Sequence, residues 1–213
     1  MNAHFTVGGH YPSLRPADTL EAESTIDTVR ENVRFLATAS AGGAFPVGFC
    51  KMLPYAGTPI EARLRSENRL RGTFVEPDYD FRDPRLDWYA LHVGLSYNSR
   101  NADRRGLLER LRSARTDALI ARLFGLDPCA DAYAAEVTEL IAQGNAVVLS
   151  ALNEALDFIE AREPQAILAD WRFLSALTAR AREADQCLHE ALDGVLWRHH
   201  QGSMPWSGPI YPE

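Results

Sequence analysis

Cysteine is scarce in this chain: three residues, Cys50, Cys129 and Cys187, in 213. Their number is odd and their spacing wide, which excludes the disulfide framework of a small secreted scaffold and points to reduced thiols. Positive charge is in deficit as well. With 22 Lys and Arg against 29 Asp and Glu, a net charge of −7 and a pI near 5.4, the chain lacks the concentrated basic face that neutralises phosphates, so no nucleic-acid partner is expected. No apolar run reaches the roughly 20 residues that cross a bilayer. Met1-Asn2-Ala3-His4 has no basic stretch leading into an apolar core, as a secretory leader would. These absences predict a soluble cytoplasmic protein with no membrane partner. An apolar content of 46% over this length is enough for a buried core, in one domain or two small ones.

What is present is organised around residues 45–70, FPVGFCKMLPYAGTPIEARLRSENRL. Val47 to Leu53 reads as a β-rich run, Pro54-Tyr55-Ala56-Gly57 as a turn, and Thr58-Pro59-Ile60-Glu61 as a helix entry. Thr58 can accept from the first helical N–H groups, Pro59 sits at N1 where its missing donor costs nothing, and Glu61 can reach back to complete a capping box. Gly72 is the expected stop.

The spelling LPYAGTPIEARLRSENRL, followed by Asp78-Tyr79-Asp80-Phe81-Arg82-Asp83-Pro84-Arg85, resembles the last barrel strand and exit helix of radical S-adenosylmethionine (SAM) enzymes, in particular those with a cobalamin-binding domain. Ser24 to Leu36 resembles the preceding barrel helix. GGHYPSLRPADTL, from Gly8, resembles a segment late in the cobalamin-binding domain, where a double glycine lies against the nucleotide tail. The resemblance implies a 4Fe–4S cluster, SAM and cobalamin as family cofactors. It places Gly8, Gly9 and His10 toward cobalamin, and Lys51, Leu53, Pro54 and Tyr55 toward the SAM adenine and the substrate mouth. Two departures limit it: the CxxxCxxC loop that holds the cluster is absent, and so is the cobalamin motif DxHxxG. The two matching segments also run almost directly together, as if an internal block were missing. This chain alone is therefore expected to hold none of those cofactors, and to be a truncated relative without radical SAM activity. Read without the resemblance, Gly8-Gly9 is an ordinary turn, and Phe49, Leu53 and Tyr55 are core around a small sheet.

The expected fold is mainly α with a small β component. Strands near residues 4–8 and 46–53, joined by a helix from Ser24 to about Ala39 with Ile26, Val29, Val33 and Leu36 on its apolar stripe, make a parallel βαβ unit over 1–77. This is the βαβ remnant of a radical SAM-type α/β barrel. An antiparallel helical bundle over 78–198 follows. Its helices start at Asp83-Pro84 and run over about 102–124, 131–163 and 166–197, with Leu119, Ile120 and Leu123 counted on the apolar side of the second. Residues 199–213 read as an extended tail.

Other candidates lie in the helices. Asp185 and His189, at i and i+4, could supply two ligands to iron or zinc, with His199 and His200 nearby and Glu136, Glu139, Glu154 or Asp157 on the neighbouring helix. No pair of Glu-x-x-His motifs accompanies them, so an Asp/His pair on an Ala- and Arg-rich helix reads as solvated surface and no metal is expected. Arg100, Arg104, Arg105, Arg110, Arg112 and Arg115, interleaved with Glu109 and Asp117, read as a solvated helix face. Trp197, Met204 and Trp206 form either a recognition tail or a cap on the bundle. The alternatives to a radical SAM-like protein are a non-catalytic helical interaction protein, partnering a full-length relative, a peptide or a second copy, and a helical-bundle metal enzyme.

Overall fold

The computed structural model describes residues 19–103, 105–126 and 128–200. The strand expected at 4–8, Gly8, Gly9 and His10, and residues 201–213 of the expected tail lie outside them.

The parallel pair is short. β1 (Thr19–Leu20) pairs with β2 (Cys50–Lys51), with Thr19 opposite Cys50 and Leu20 opposite Lys51. Between them runs α1 (Ile26–Ala39), whose Ile26, Val29, Val33 and Leu36 are all buried. Its cap is one residue later than expected. Thr25 and Thr28 make the reciprocal capping box, at 3.2 and 2.8 Å, while Ser24 accepts from the Glu21 amide at 3.0 Å. A 3-10 turn over Ala41–Gly43 brings the chain against the long helix that follows later. Gly43 has φ 75°, and a Cβ there would lie 2.1 Å from the Thr138 carbonyl oxygen, so only glycine lets the two backbones approach.

α2 (Pro59–Ser66) begins as the sequence dictates, with Thr58 accepting from the Glu61 amide at 3.3 Å. The Glu61 carboxylate pairs forward with Arg65 instead of reaching back. The helix ends earlier than Gly72. Asn68 takes φ 57°, the Arg69 amide donates to the Leu64 carbonyl at 2.8 Å and the Asn68 amide to the Arg65 carbonyl at 3.1 Å, which together satisfy two terminal carbonyls. Gly72 instead belongs to an antiparallel hairpin, β3 (Leu70–Gly72) with β4 (Pro77–Tyr79).

The rest is helical: α3 (Pro84–Ala102), α4 (Leu107–Phe124), α5 (Ala130–Glu160), α6 (Pro164–Ala169) and α7 (Trp171–His200). Asp83 caps α3 by accepting from the Arg85 amide at 3.0 Å, and Gly125 closes α4 in the left-handed region. The helix expected over 166–197 is interrupted at Asp170, which ends α6 before α7 starts. α5 is the central element and packs against α1, α3, α4 and α7. α7 runs antiparallel to it, since Glu154 pairs with Arg180 and Glu136 with Arg198.

Two apolar clusters lie along α5. One combines Leu20, Val29, Val33, Phe49 and Leu64 with Tyr79, Phe81, Leu86 and Val93, and with Val148, Leu152, Leu156, Leu174 and Leu177. Residues 19–77 thus share their core with α3, α5 and α7. The other joins Leu107, Leu111, Ala114 and Ala118 of α4 to Tyr133, Val137 and Ile141 and to Leu188, Leu192 and Val195. Each fully buried Leu, Ile or Val stabilises the fold by roughly 1.5–3 kcal/mol, so the two long helices that serve both clusters hold the molecule together. Among the described residues, no helix is long and apolar enough to cross a membrane.

Candidate functional site

Lys51, Leu53, Pro54 and Tyr55 follow one another at the end of β2. Lys51 is the one lysine of the chain. Its Nζ donates to the Asp78 carboxylate and to the Tyr79 carbonyl, both at 2.6 Å, and lies 4.3 Å from the centre of the Tyr79 ring and 5.0 Å from that of Phe81. That side chain ties β2 to the hairpin. Pro54 is buried, whereas Leu53 and Tyr55 are exposed. The loop lies beyond the C-terminal end of a parallel strand, where open parallel sheets place ligands.

Asp185 and His189 lie on the inward side of α7, facing arginines. Asp185 pairs with Arg100, and the Nδ1 of His189 accepts from Arg110 at 2.8 Å while Arg110 also pairs with Asp193. Burial pushes the Asp185 carboxyl up against the opposing pull of Arg100, and burial followed by the charge of Arg110 pushes His189 down. A metal cation there would meet two guanidinium groups. The carboxylates considered as further ligands are bound elsewhere: Glu136 to Arg198 and His199, Glu154 to Arg180, Asp157 to Arg30. His199 stacks near Tyr133 at 4.9 Å between ring centres and reaches Glu136 at 3.0 Å; His200 closes α7. Among the described residues, no group of three His, Cys, Asp or Glu side chains is arranged to hold a metal ion. The three thiols are exposed, on β2, just before α5 and within α7.

Arg100, expected on a solvated face, is the most buried of the arginine, lysine and carboxylate side chains among the described residues, its side chain 1% exposed. It terminates a polar seam on the inward face of α3. Tyr89, His92, Ser96, Tyr97 and Arg100 recur at helical spacing, and all are buried. His92 Nδ1 lies 3.1 Å from the Thr178 hydroxyl and 3.2 Å from that of Ser96. Burial lowers the His92 pKa to about 4 and raises those of Tyr89 and Tyr97, so all three are neutral at ordinary pH. Ser96 beside His92 has the composition of a nucleophile and base. Both are sealed from solvent, and Thr178 competes for the same ring nitrogen, so the pair works as a buried hydrogen-bonded tie between α3 and α7. The spacing 86, 89, 93, 97, 100 continues the apolar stripe of α3 and is the signal by which Arg100 could have been assigned inward.

Among the described residues, a run of exposed apolar side chains lies at the C-terminal end of α4 and the connection after it. Leu123, Phe124 and Leu126 are 78%, 73% and 69% exposed, and Leu119 and Ile120 join them at 42% each. Leu119, Ile120 and Leu123 were expected in the core. They are excluded because the inward face of α4, continued from Leu107 and Leu111, passes through Ala114 and Ala118. α5 and α7 flank an open groove of about 630 Å³, lined by Ala135, Leu140, Ala191, Gly194 and Val195 together with Glu139 and the Glu136–Arg198 ion pair.

No protein-family model matches the chain, and no curated protein or solved structure matches it.

Proposed function

We propose that this chain is a non-catalytic interaction protein that docks a protein partner on the apolar end formed by α4 and the α4–α5 connection. The observation that carries this reading is the cluster of Leu119, Ile120, Leu123, Phe124 and Leu126 in solvent. Soluble chains rarely leave contiguous apolar patches of that kind uncovered unless something binds them. The sealed seam on α3 agrees with it, because its polar groups hold helices together and offer no surface to a substrate. A photo-reactive benzoylphenylalanine at Leu123, with exposed Phe35 of α1 as the control site, tests it in cells that express the protein. Adducts from position 123 and none from position 35 are expected; no adduct from 123 removes the reading.

A second reading keeps the family resemblance: a radical SAM-like protein of the cobalamin-dependent type, reduced to a βαβ remnant and a helical bundle, acting beside a full-length relative. The parallel β1–β2 pair joined by α1, the Thr58-capped exit helix, and exposed Leu53 and Tyr55 at the strand end support it. Anaerobic reconstitution with iron, sulfide, SAM and hydroxocobalamin, then desalting and metal analysis, tests its statement that the chain alone carries no cluster. Metal-free protein is expected, and stoichiometric iron overturns it.

A further inference from the structure

Resting on the docking reading, we infer that the partner of the α4 apolar end is a second copy of this chain, and that each copy inserts Leu123 and Phe124 into the α5–α7 groove of the other. Three observations lead there. The groove is lined by small and apolar side chains, Ala135, Leu140, Ala191, Gly194 and Val195, and so can admit large apolar groups. The α4 end offers such groups, and among the described residues nothing covers them.

Charge supplies the second argument. α5 carries Asp131, Glu136, Glu139, Glu154, Asp157 and Glu160 and no lysine or arginine. α4 has the opposite bias, with Arg110, Arg112, Arg115 and Arg122 against Glu109 and Asp117. Arg110 and Arg122 are used within the chain, by Asp193 and Asp131. Arg112 and Arg115 have no ion-pair partner among the described residues, and neither does Glu139, which lines the groove. In a chain of net charge −7, copies repel one another except where a surface of surplus positive charge meets an acidic one. Arg112 and Arg115 lie at helical spacing on the face of α4 that leads to Leu119 and Leu123, and that face against the α5 edge is such a match.

The third argument is placement. α5 starts where the α4 connection ends, and α7, antiparallel to α5, finishes beside its first turns, as the Arg198 to Glu136 pair requires. Apolar end and groove thus occupy the same end of the molecule. Two complementary surfaces at one end allow a two-fold pair in which both contacts form at once, so the assembly closes at two copies instead of growing into a filament.

Sedimentation velocity of the purified chain across a concentration series tests this. A concentration-dependent species of twice the 23.7 kDa chain mass is expected. Leu123→Glu with Phe124→Glu, and separately Gly194→Leu, should each weaken association by roughly tenfold or more, about 1.4 kcal/mol. A Cβ at Gly194 meets only the end of Arg198, at 3.6 Å, so a side chain can start there without a backbone clash; circular dichroism checks the fold of the variant, and Ala191→Glu blocks the same groove if that fold is lost. Mixing the α4 variant with the groove variant restores one intact contact and should give a heterodimer that neither forms alone. A monomer at every concentration overturns the inference, and position-123 adducts to a different protein would then leave the docking reading standing. Dimers that respond to the α4 variant but to neither groove variant overturn the groove assignment.

Discussion

The polar seam of α3 makes single residues carry unusual weight. His92 is held neutral by burial, with a pKa near 4 against 6.5 for a free histidine. Because the folded value lies below the unfolded one, its contribution is complete above about pH 6.5 and is lost as pH falls toward 4; the loss reaches about 2 kcal/mol by pH 5. Urea titrations at pH 7.5 and pH 5 should show it, with His92→Gln losing less stability than the wild type over that interval. An equal loss would mean that the imidazole is not what titrates. Arg100 tests the charged end of the seam. Asp185→Ala leaves a guanidinium buried without its carboxylate and should cost roughly 3–5 kcal/mol. The double change Arg100→Met with Asp185→Leu should cost much less by the same denaturation measurement, since it removes the orphaned charge together with its partner.

Helices differ in how much of their packing could be read from sequence, and the reason is what their inward faces are made of. α1 and α5 bury branched and aromatic residues at regular spacing, Ile26, Val29, Val33, Leu36 and then Val137, Ile141, Val148, Leu152, Leu156, Ile159, so periodicity alone identifies the face. α4 misleads because its core contacts shrink to Ala114 and Ala118 while leucines continue on the outside. Close approach of α4 to α5 selects alanine there, and a hydrophobicity count favours the leucines. The ends of α2 were legible at Thr58, where side-chain chemistry fixes the cap, and not at Asn68, where a left-handed residue other than glycine stops the helix. α4 therefore predicts a split response. Leu111→Ala, in the core, should cost roughly 2–5 kcal/mol, whereas Leu123→Glu, on the outside, should change stability by no more than about 0.5 kcal/mol. Thermal unfolding monitored by circular dichroism, at concentrations low enough to keep the chain monomeric, separates the two. A large loss from Leu123→Glu would mean that this face is packed.

At the scale of the whole molecule, a buried amide of α5 ties the parallel βαβ unit to the helices, beside the shared core and the Asn101 bond to the Phe49 carbonyl at 2.9 Å. Asn145, in the middle of α5, accepts from the Val47 amide at 2.8 Å and donates to the Phe45 carbonyl at 2.9 Å and the Ser40 carbonyl at 3.4 Å. It satisfies the backbone of the segment that enters β2, which is otherwise buried without a sheet neighbour on that side. Nothing in the spacing of α5 announces this role, because a lone Asn between Gly144 and Ala146 reads as a weak point in the helix, and its partners lie about a hundred residues away. The shared core makes the consequence global. Asn145→Leu strands the Val47 amide and the Phe45 carbonyl, each costing up to about 1–3 kcal/mol when left unpaired, while the Ser40 carbonyl keeps the Gly43 amide; Val47 belongs to the same apolar cluster as Val148, Leu152 and Phe49. Hydrogen exchange should therefore show protection falling together in α1, β2 and α5, with urea unfolding remaining a single transition of unchanged slope. Loss of protection confined to residues 19–51, with α5 untouched, would mean that the βαβ unit opens by itself and that the common core does not couple the two parts.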